Sequence, residues 1–215
     1  MPMKVQTAIA ISLFQAYFLI VSMIGESPDS IMLLGNLVFT GWLGMEAMRV
    51  RLGHAEGESR TFGILSRSFL IVSFTSVAVA FADRSSNVVL LATLPDTALF
   101  IGFILLAVGV WLRHISIKTL GRFFVTKVQI RHDHNLVKDG IYSLLRHPSY
   151  TGLILGFLGV ILILQSTTAL VLFIALGIPA YSYRIWIEEK SLIKVFGDEY
   201  RSYRTETYAL IPFVY

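Results

Sequence analysis

From Val5 to Ile24 the chain carries no charged residue, and runs of this kind return along most of its length. A helix needs about 20 predominantly apolar residues to cross the hydrocarbon core of a bilayer, so this pattern limits the fold more than any single motif. Further runs follow at Ile31–Val50, about Phe62–Ala82, Pro95–Lys118, Tyr150–Leu164 and Ala169–Ile185. Only 15% of the residues are charged, against about 25% in a soluble domain. The expectation is an all-α, polytopic transmembrane bundle of about six apolar spans. Val5–Ile24 is too long for the apolar core of a cleavable signal and reads as a retained first helix. Pro95 suits the first turn of the fourth span, which leaves Val88–Thr93 as an interfacial or re-entrant lead-in. The run Tyr150–Leu164 is short for a full crossing. With only Gln165–Thr168 before the next run, the last two spans read as a tight helical hairpin.

Charge placement orients the bundle. The stretch from Arg113 to His147 holds seven Lys or Arg (113, 118, 122, 127, 131, 138, 146) against Asp133 and Asp139. The loops after the second, fourth and sixth runs are basic, and those after the first, third and fifth are not. Basic loops stay cytosolic, so six crossings place both termini there, with His134–Tyr150 and Arg184–Glu189 on the same side at the two flanks of the hairpin. Beyond Glu188, Leu192, Phe196, Tyr200 and Tyr203 recur at helical spacing and predict a C-terminal amphipathic interfacial helix, weakened at Gly197. Residues 1–215 form a single membrane domain on this reading, with N-terminal helices over 1–118 and a core over 119–215.

The chain has no cysteine, which excludes disulfides, thiolate metal sites and a cysteine nucleophile. His114, His132, His134 and His147 do not fall at metal-ligand spacing, and no metal site is expected. Ser149 lacks the G-x-S-x-G elbow of a hydrolase. Glu46, inside the second run, is expected near the interface or paired with Arg49. Pro148 holds His147 extended and suits the first turn of a helix, whose open backbone N–H groups can receive an anion. Arg184 and Glu188, four apart, share a helix face. They read either as a surface ion pair or as grips for a carboxylate and an ammonium.

Two stretches, LVKDGIYSLLRHPSYTG and RIWIEEKSLIKVFGDEYRSYRTETYALIP, carry an ordered pattern: L-V-x-x-G-x-Y, R-H-P-x-Y-x-G, R-x-x-x-E-E and F-G-x-E-Y. From His134 to Pro212 the chain thereby resembles the membrane-embedded isoprenylcysteine carboxyl methyltransferases and their prokaryotic relatives, and phospholipid methyltransferases share part of the pattern. The resemblance implies methyl transfer from S-adenosylmethionine held between the loop and the C-terminal helices. It implies that His134, Asn135, Leu136, Val137 and Tyr142 line the cofactor. It further implies that His147, Pro148, Ser149 and Tyr150 wrap its other side and that Glu188 holds its amino group. Arg184 matches the arginine at the substrate carboxylate. Gln129 matches a family glutamine, at a shorter spacing to His134, and Asn135 departs from the small hydroxylated residue of the pattern. The acceptor implied is the carboxylate of an isoprenylcysteine-like or other isoprenoid acid, drawn from the membrane lipids, with no nucleic acid involved. Two alternatives stay open: a lipid amine N-methyltransferase, and a non-enzymatic membrane protein. The few charges inside the early spans, Glu46, Arg67 and Asp96, offer little for an ion pathway.

Overall fold

The computed structural model describes residues 12–21, 29–49, 68–86, 91, 93–121 and 136–212. Its elements are α1 (Ser12–Val21), α2 (Ser30–Arg49), α3 (Ser68–Ser86), α4 (Thr97–Leu120), a short 3-10 turn (Gly140–Ser143) and α5 (Pro148–Ile163). They continue with α6 (Thr167–Phe196) and α7 (Asp198–Glu206). The described residues form no sheet; one parallel bridge joins Leu145 to Tyr208. Three of the helices are long and apolar enough to cross a membrane: Ser68–Ser85 within α3, α4, and α6, while α1 and α5 are shorter apolar helices. At 1.5 Å per residue α5 is about 24 Å long, less than the roughly 30 Å hydrocarbon core, as its sequence length foretold.

Side-chain exposure follows from a lipid solvent. On α4, Phe100, Ile104 and Trp111 are 68%, 62% and 57% exposed, and Leu37 on α2 is 72% exposed. In water such large apolar side chains in one band would be a liability; against acyl chains they cost nothing. The interior is aromatic. Phe39, Phe81, Phe157, Phe173 and Tyr181 are fully buried, and Trp42 meets Phe157 edge-on at 4.9 Å between ring centres.

Lipid tails are as apolar as leucine, so helices in a bilayer associate through close packing of small residues. The α4–α5 contact follows this rule. A Cβ at Gly109 would lie 2.6 Å from the backbone N of Gly156, and one at Gly102 would lie 2.7 Å from the Gly159 carbonyl oxygen. Both approaches are backbone to backbone and cannot be relieved by a rotamer change.

Pro148 stands in the first turn of α5, where its missing N–H is no loss. The hairpin turn is closed by Ser166, whose Oγ accepts from Ala169 N at 3.1 Å as the N-cap of α6. Within α6 the Phe173–Gly177 segment is a π turn. It ends two residues before Pro179, which lacks an N–H and would crowd the Ala175 carbonyl in a regular helix. The apolar run Ala169–Ile185 ends inside α6, which continues to Phe196, so Arg184 and Glu188 stand on one helix, as their spacing implied. The expected amphipathic helix is also two helices. Gly197, at φ +56°, ends α6 with its N–H on Ile193 O at 2.9 Å, and α7 turns back from there.

Candidate functional site

Antiparallel helices bring one end of the bundle together from four places in sequence: the C-terminal parts of α2, α4 and α6, and the N-terminus of α5. Three layers of polar contacts are built there.

The innermost layer is an ion pair. Arg113 on α4 donates from Nε and Nη2 to the Glu46 carboxylate on α2, at 3.1 and 3.0 Å, and from Nη1 to the Ser149 hydroxyl on α5. The Arg113 and Glu46 side chains are 7% and 16% exposed. Glu46 thus has a partner on another helix, Arg113; the expected pairing with Arg49 falls on a side chain outside those described. This pair was not visible in the motifs; the available signal was two opposite charges in separate apolar runs.

The second layer contains the motif residues. Tyr150, on the first turn of α5, donates its hydroxyl to Glu188 Oε2 at 2.7 Å and accepts from Arg184 Nε at 3.0 Å. Arg184 is buried and Glu188 half-buried. The shared helix face of Arg184 and Glu188 thus does not make a simple surface pair; a tyrosine hydroxyl from across the hairpin stands between them. The Tyr150 bond engages only Oε2 of the carboxylate. His147 is buried and its ring lies 5.8 Å from that of Tyr150. Tyr142, in the 3-10 turn, is buried, with its hydroxyl 3.5 Å from Ser116 O. Burial, then the nearby Glu188 charge, pushes its phenol above the ordinary range.

The third layer locks the loop to the C-terminus. Glu189 Oε1 accepts from Arg146 Nε at 2.8 Å and lies 3.4 Å from His147 Nε2, while its Oε2 faces Arg204 Nε at 3.2 Å. Arg146 also donates to the Thr207 carbonyl. The segment after α7 then runs alongside the loop: Tyr208 N donates to Leu144 O at 3.0 Å, Arg146 N to Tyr208 O at 2.8 Å, and His147 N to Ala209 O at 3.1 Å. The two adjacent glutamates point about 100° apart around the helix: Glu189 meets Arg146 and Arg204, and Glu188 meets Tyr150.

Of the sequence-predicted residues, the structure gathers Tyr142, His147, Pro148, Ser149, Tyr150, Arg184 and Glu188 at this end. Leu136 and Val137 precede the 3-10 turn in irregular chain. The Ser149 hydroxyl oxygen accepts from Arg113 Nη1. Gln129, His134, Asn135 and Arg67 lie outside the described residues, as does most of Val88–Thr93. Arg146, Glu189 and Arg204 were missed as a group. Their signal was the doubling of charge in R-H and E-E, where one residue of each pair is structural.

The fold and the geometry of this end define an all-helical membrane protein with a polar cluster built between one loop and the last long helix. Residues 100–194 match the family model described as isoprenylcysteine carboxyl methyltransferase (ICMT) family. The chain is 36% identical over 151 residues to the protein-S-isoprenylcysteine O-methyltransferase of Saccharomyces cerevisiae, covering 69% of this chain and 62% of the yeast protein. It is 34% identical over 115 residues to protein-S-isoprenylcysteine O-methyltransferase A of Arabidopsis thaliana, covering 53% of this chain and 58% of that one. The chain thus spans less than two thirds of these relatives' length. A solved structure of the eukaryotic intramembrane Ras methyltransferase ICMT superposes with a TM-score of 0.52 at 24% identity, over 84% of this chain and 68% of that chain. That likeness bears on the fold: a helical membrane bundle.

Proposed function

We propose that the chain is a membrane methyltransferase that uses S-adenosylmethionine to esterify the carboxylate of an isoprenylcysteine-like or other isoprenoid acid. The observation that carries this reading is the Arg184–Tyr150–Glu188 relay. It sets a cation and a carboxylate on one helix face at fixed spacing through a buried tyrosine.

The residues present fit such a cofactor. Glu188 is a half-buried carboxylate oriented by Tyr150, suited to an ammonium group. Leu136, Val137, Tyr142 and the His147–Tyr150 turn supply apolar and aromatic surface beside it, and Gln129, His134 and Asn135 would complete the set. When bound, the cofactor supplies an electrophilic methyl on a sulfonium. An acceptor carboxylate oxygen held by Arg184 would take that methyl, the new C–O bond forming as the S–C bond breaks and its electron pair stays on sulfur. One positive and one negative charge are lost together, so desolvation favours the reaction, and no general base is required because the carboxylate is already ionised near neutral pH. Arg184 would orient the carboxylate by charge-assisted hydrogen bonds, and alignment would supply most of the rate.

Three features support the membrane side of this reading: the lipid-facing bands, the basic loops, and the placement of the site at one end of the apolar helices. A lipophilic or prenylated acceptor would enter from the bilayer with its polar end at the pocket. On the charge argument, the site end and both termini face the cytosol in a bundle of about six crossings, with 119–215 as the methyltransferase core after the N-terminal helices of 1–118. The amine alternative is weaker because an amine must be neutral to attack, and the arginine beside Tyr150 disfavours a cationic acceptor.

Methyl transfer from labelled S-adenosylmethionine separates these readings. Purified protein offered a farnesylated cysteine with a free carboxylate should form a base-labile methyl ester, and Arg184→Ala should lose most of that activity. Methylation of phosphatidylethanolamine instead would establish the amine reading. Absence of both methylation and cofactor binding would end the enzyme reading.

A further inference from the structure

Tyr200 is 1% exposed, and its hydroxyl is one of three buried side-chain polar atoms among the described residues with no hydrogen-bond partner; the others are Trp42 Nε1 and Thr168 Oγ1, on helices of the bundle. A buried hydroxyl without a partner costs about 1–3 kcal/mol, so an unmatched one at a functional site implies a partner that arrives later. Tyr200 belongs to the F-G-x-E-Y motif, which none of the site assignments uses.

Its position is fixed from three directions. Gly197 turns α7 back toward the site. Tyr200 and Tyr203, three apart, form the buried face of α7, with ring centres 5.9 Å apart. Tyr203 Oη donates to Tyr142 O at 2.6 Å, which seats that face on the 3-10 turn. Burial, and then the charges of Glu189 and Glu188, raise the Tyr200 phenol above its ordinary range, while Arg146 acts on it in the opposite sense. Tyr200 therefore keeps its proton, and its hydroxyl is available as a donor. Glu189 is already neutralised by Arg146 and Arg204, so the charge it brings does not repel an incoming anion strongly.

We infer that Tyr200 is a cofactor-binding residue whose hydroxyl donates to the carboxylate at the amino-acid end of the methyl donor, while Glu188 receives its ammonium. This rests on the methyltransferase reading above and adds one contact to it. The pairing is complementary: one acceptor for the ammonium, one neutral donor for the carboxylate, both set by the helix pair that Gly197 folds together.

Tyr200→Phe removes the hydroxyl alone. Binding is measured calorimetrically with S-adenosylhomocysteine, which carries the amino-acid end, and with 5′-methylthioadenosine, which lacks it. The variant should bind S-adenosylhomocysteine about ten-fold more weakly and bind 5′-methylthioadenosine as wild type does. Its ligand-free melting temperature should be unchanged or higher, since an unmatched polar atom is gone. Equal S-adenosylhomocysteine affinity in the two proteins would overturn the inference, and so would an equal loss for both ligands, which marks a packing role. If wild type binds neither ligand, the methyl-donor reading itself fails, a result set apart by the silence of the unmutated protein.

Discussion

The two ends of this bundle are both polar, and they differ in how their charged side chains are engaged. At the end remote from the site, Arg84 is bidentate to Asp29 and reaches Gln165 Oε1 at 2.9 Å; Gln165 Nε2 passes on to Asp96 at 3.0 Å. Ser166 donates to Asp83 at 2.6 Å, and Leu94 N donates to Gln165 O at 3.0 Å. Four chain segments are tied there through these side chains, with the Thr168 hydroxyl beside Ser166 left without a partner, and Gln165 adopts φ +57° to make the turn. At the site end, Glu188 has one oxygen engaged by Tyr150, and the Tyr200 hydroxyl has no partner. A closed network holds a hairpin in register. An open one leaves capacity for a ligand. Polar content alone would not have told the two ends apart.

This contrast can be broken in four ways. Glu46→Ala should have the largest effect, because it strips the carboxylate from the buried Arg113 guanidinium beneath the site. Loss of one partner of a buried pair costs about 3–5 kcal/mol, which should appear as a large fall in melting temperature in detergent and in cofactor affinity together. Next, Glu188→Ala should weaken S-adenosylhomocysteine binding by about 10- to 100-fold, the value of a charge-assisted hydrogen bond, with little change in melting. Gln165→Ala should do the reverse: about 1–2 kcal/mol of stability lost with its hydrogen bonds, and cofactor affinity retained. The smallest effect belongs to Asp29. Hydrogen bonding to Arg84 holds its carboxyl below the usual range. Its contribution is present above the unfolded value near 3.8 and is lost as pH falls through the lower folded value. Asp29→Asn should flatten stability slightly between about pH 5 and pH 3 and leave it unaltered in shape near neutrality. Because Asp29 is largely exposed, solvent screening keeps the effect small.

The helical class and the meeting of the two polar stretches were legible because lipid solvent and basic loops act on whole segments. Motif order marked Tyr150, Arg184 and Glu188 as candidates, but the relay through the Tyr150 hydroxyl was not legible, since it depends on the hairpin's rotation. Pairings across distant helices escaped for the same reason: Glu46 with Arg113, Arg146 with Glu189, and the segment after α7 with the loop are set by which helix faces meet, and no local spacing encodes that. The break at Gly197 was signalled by the glycine itself. Its consequence, the burial of Tyr200 and Tyr203 over the 3-10 turn, was not.

The most direct measurement is calorimetric binding of S-adenosylhomocysteine to the wild type, Glu188→Ala and Gln165→Ala proteins in matched detergent, with melting temperatures alongside. Binding by the wild type, lost at least ten-fold in Glu188→Ala at unchanged melting and kept in a destabilised Gln165→Ala, is the predicted result. Equal affinity in wild type and Glu188→Ala would contradict the assignment of the open end as the cofactor site.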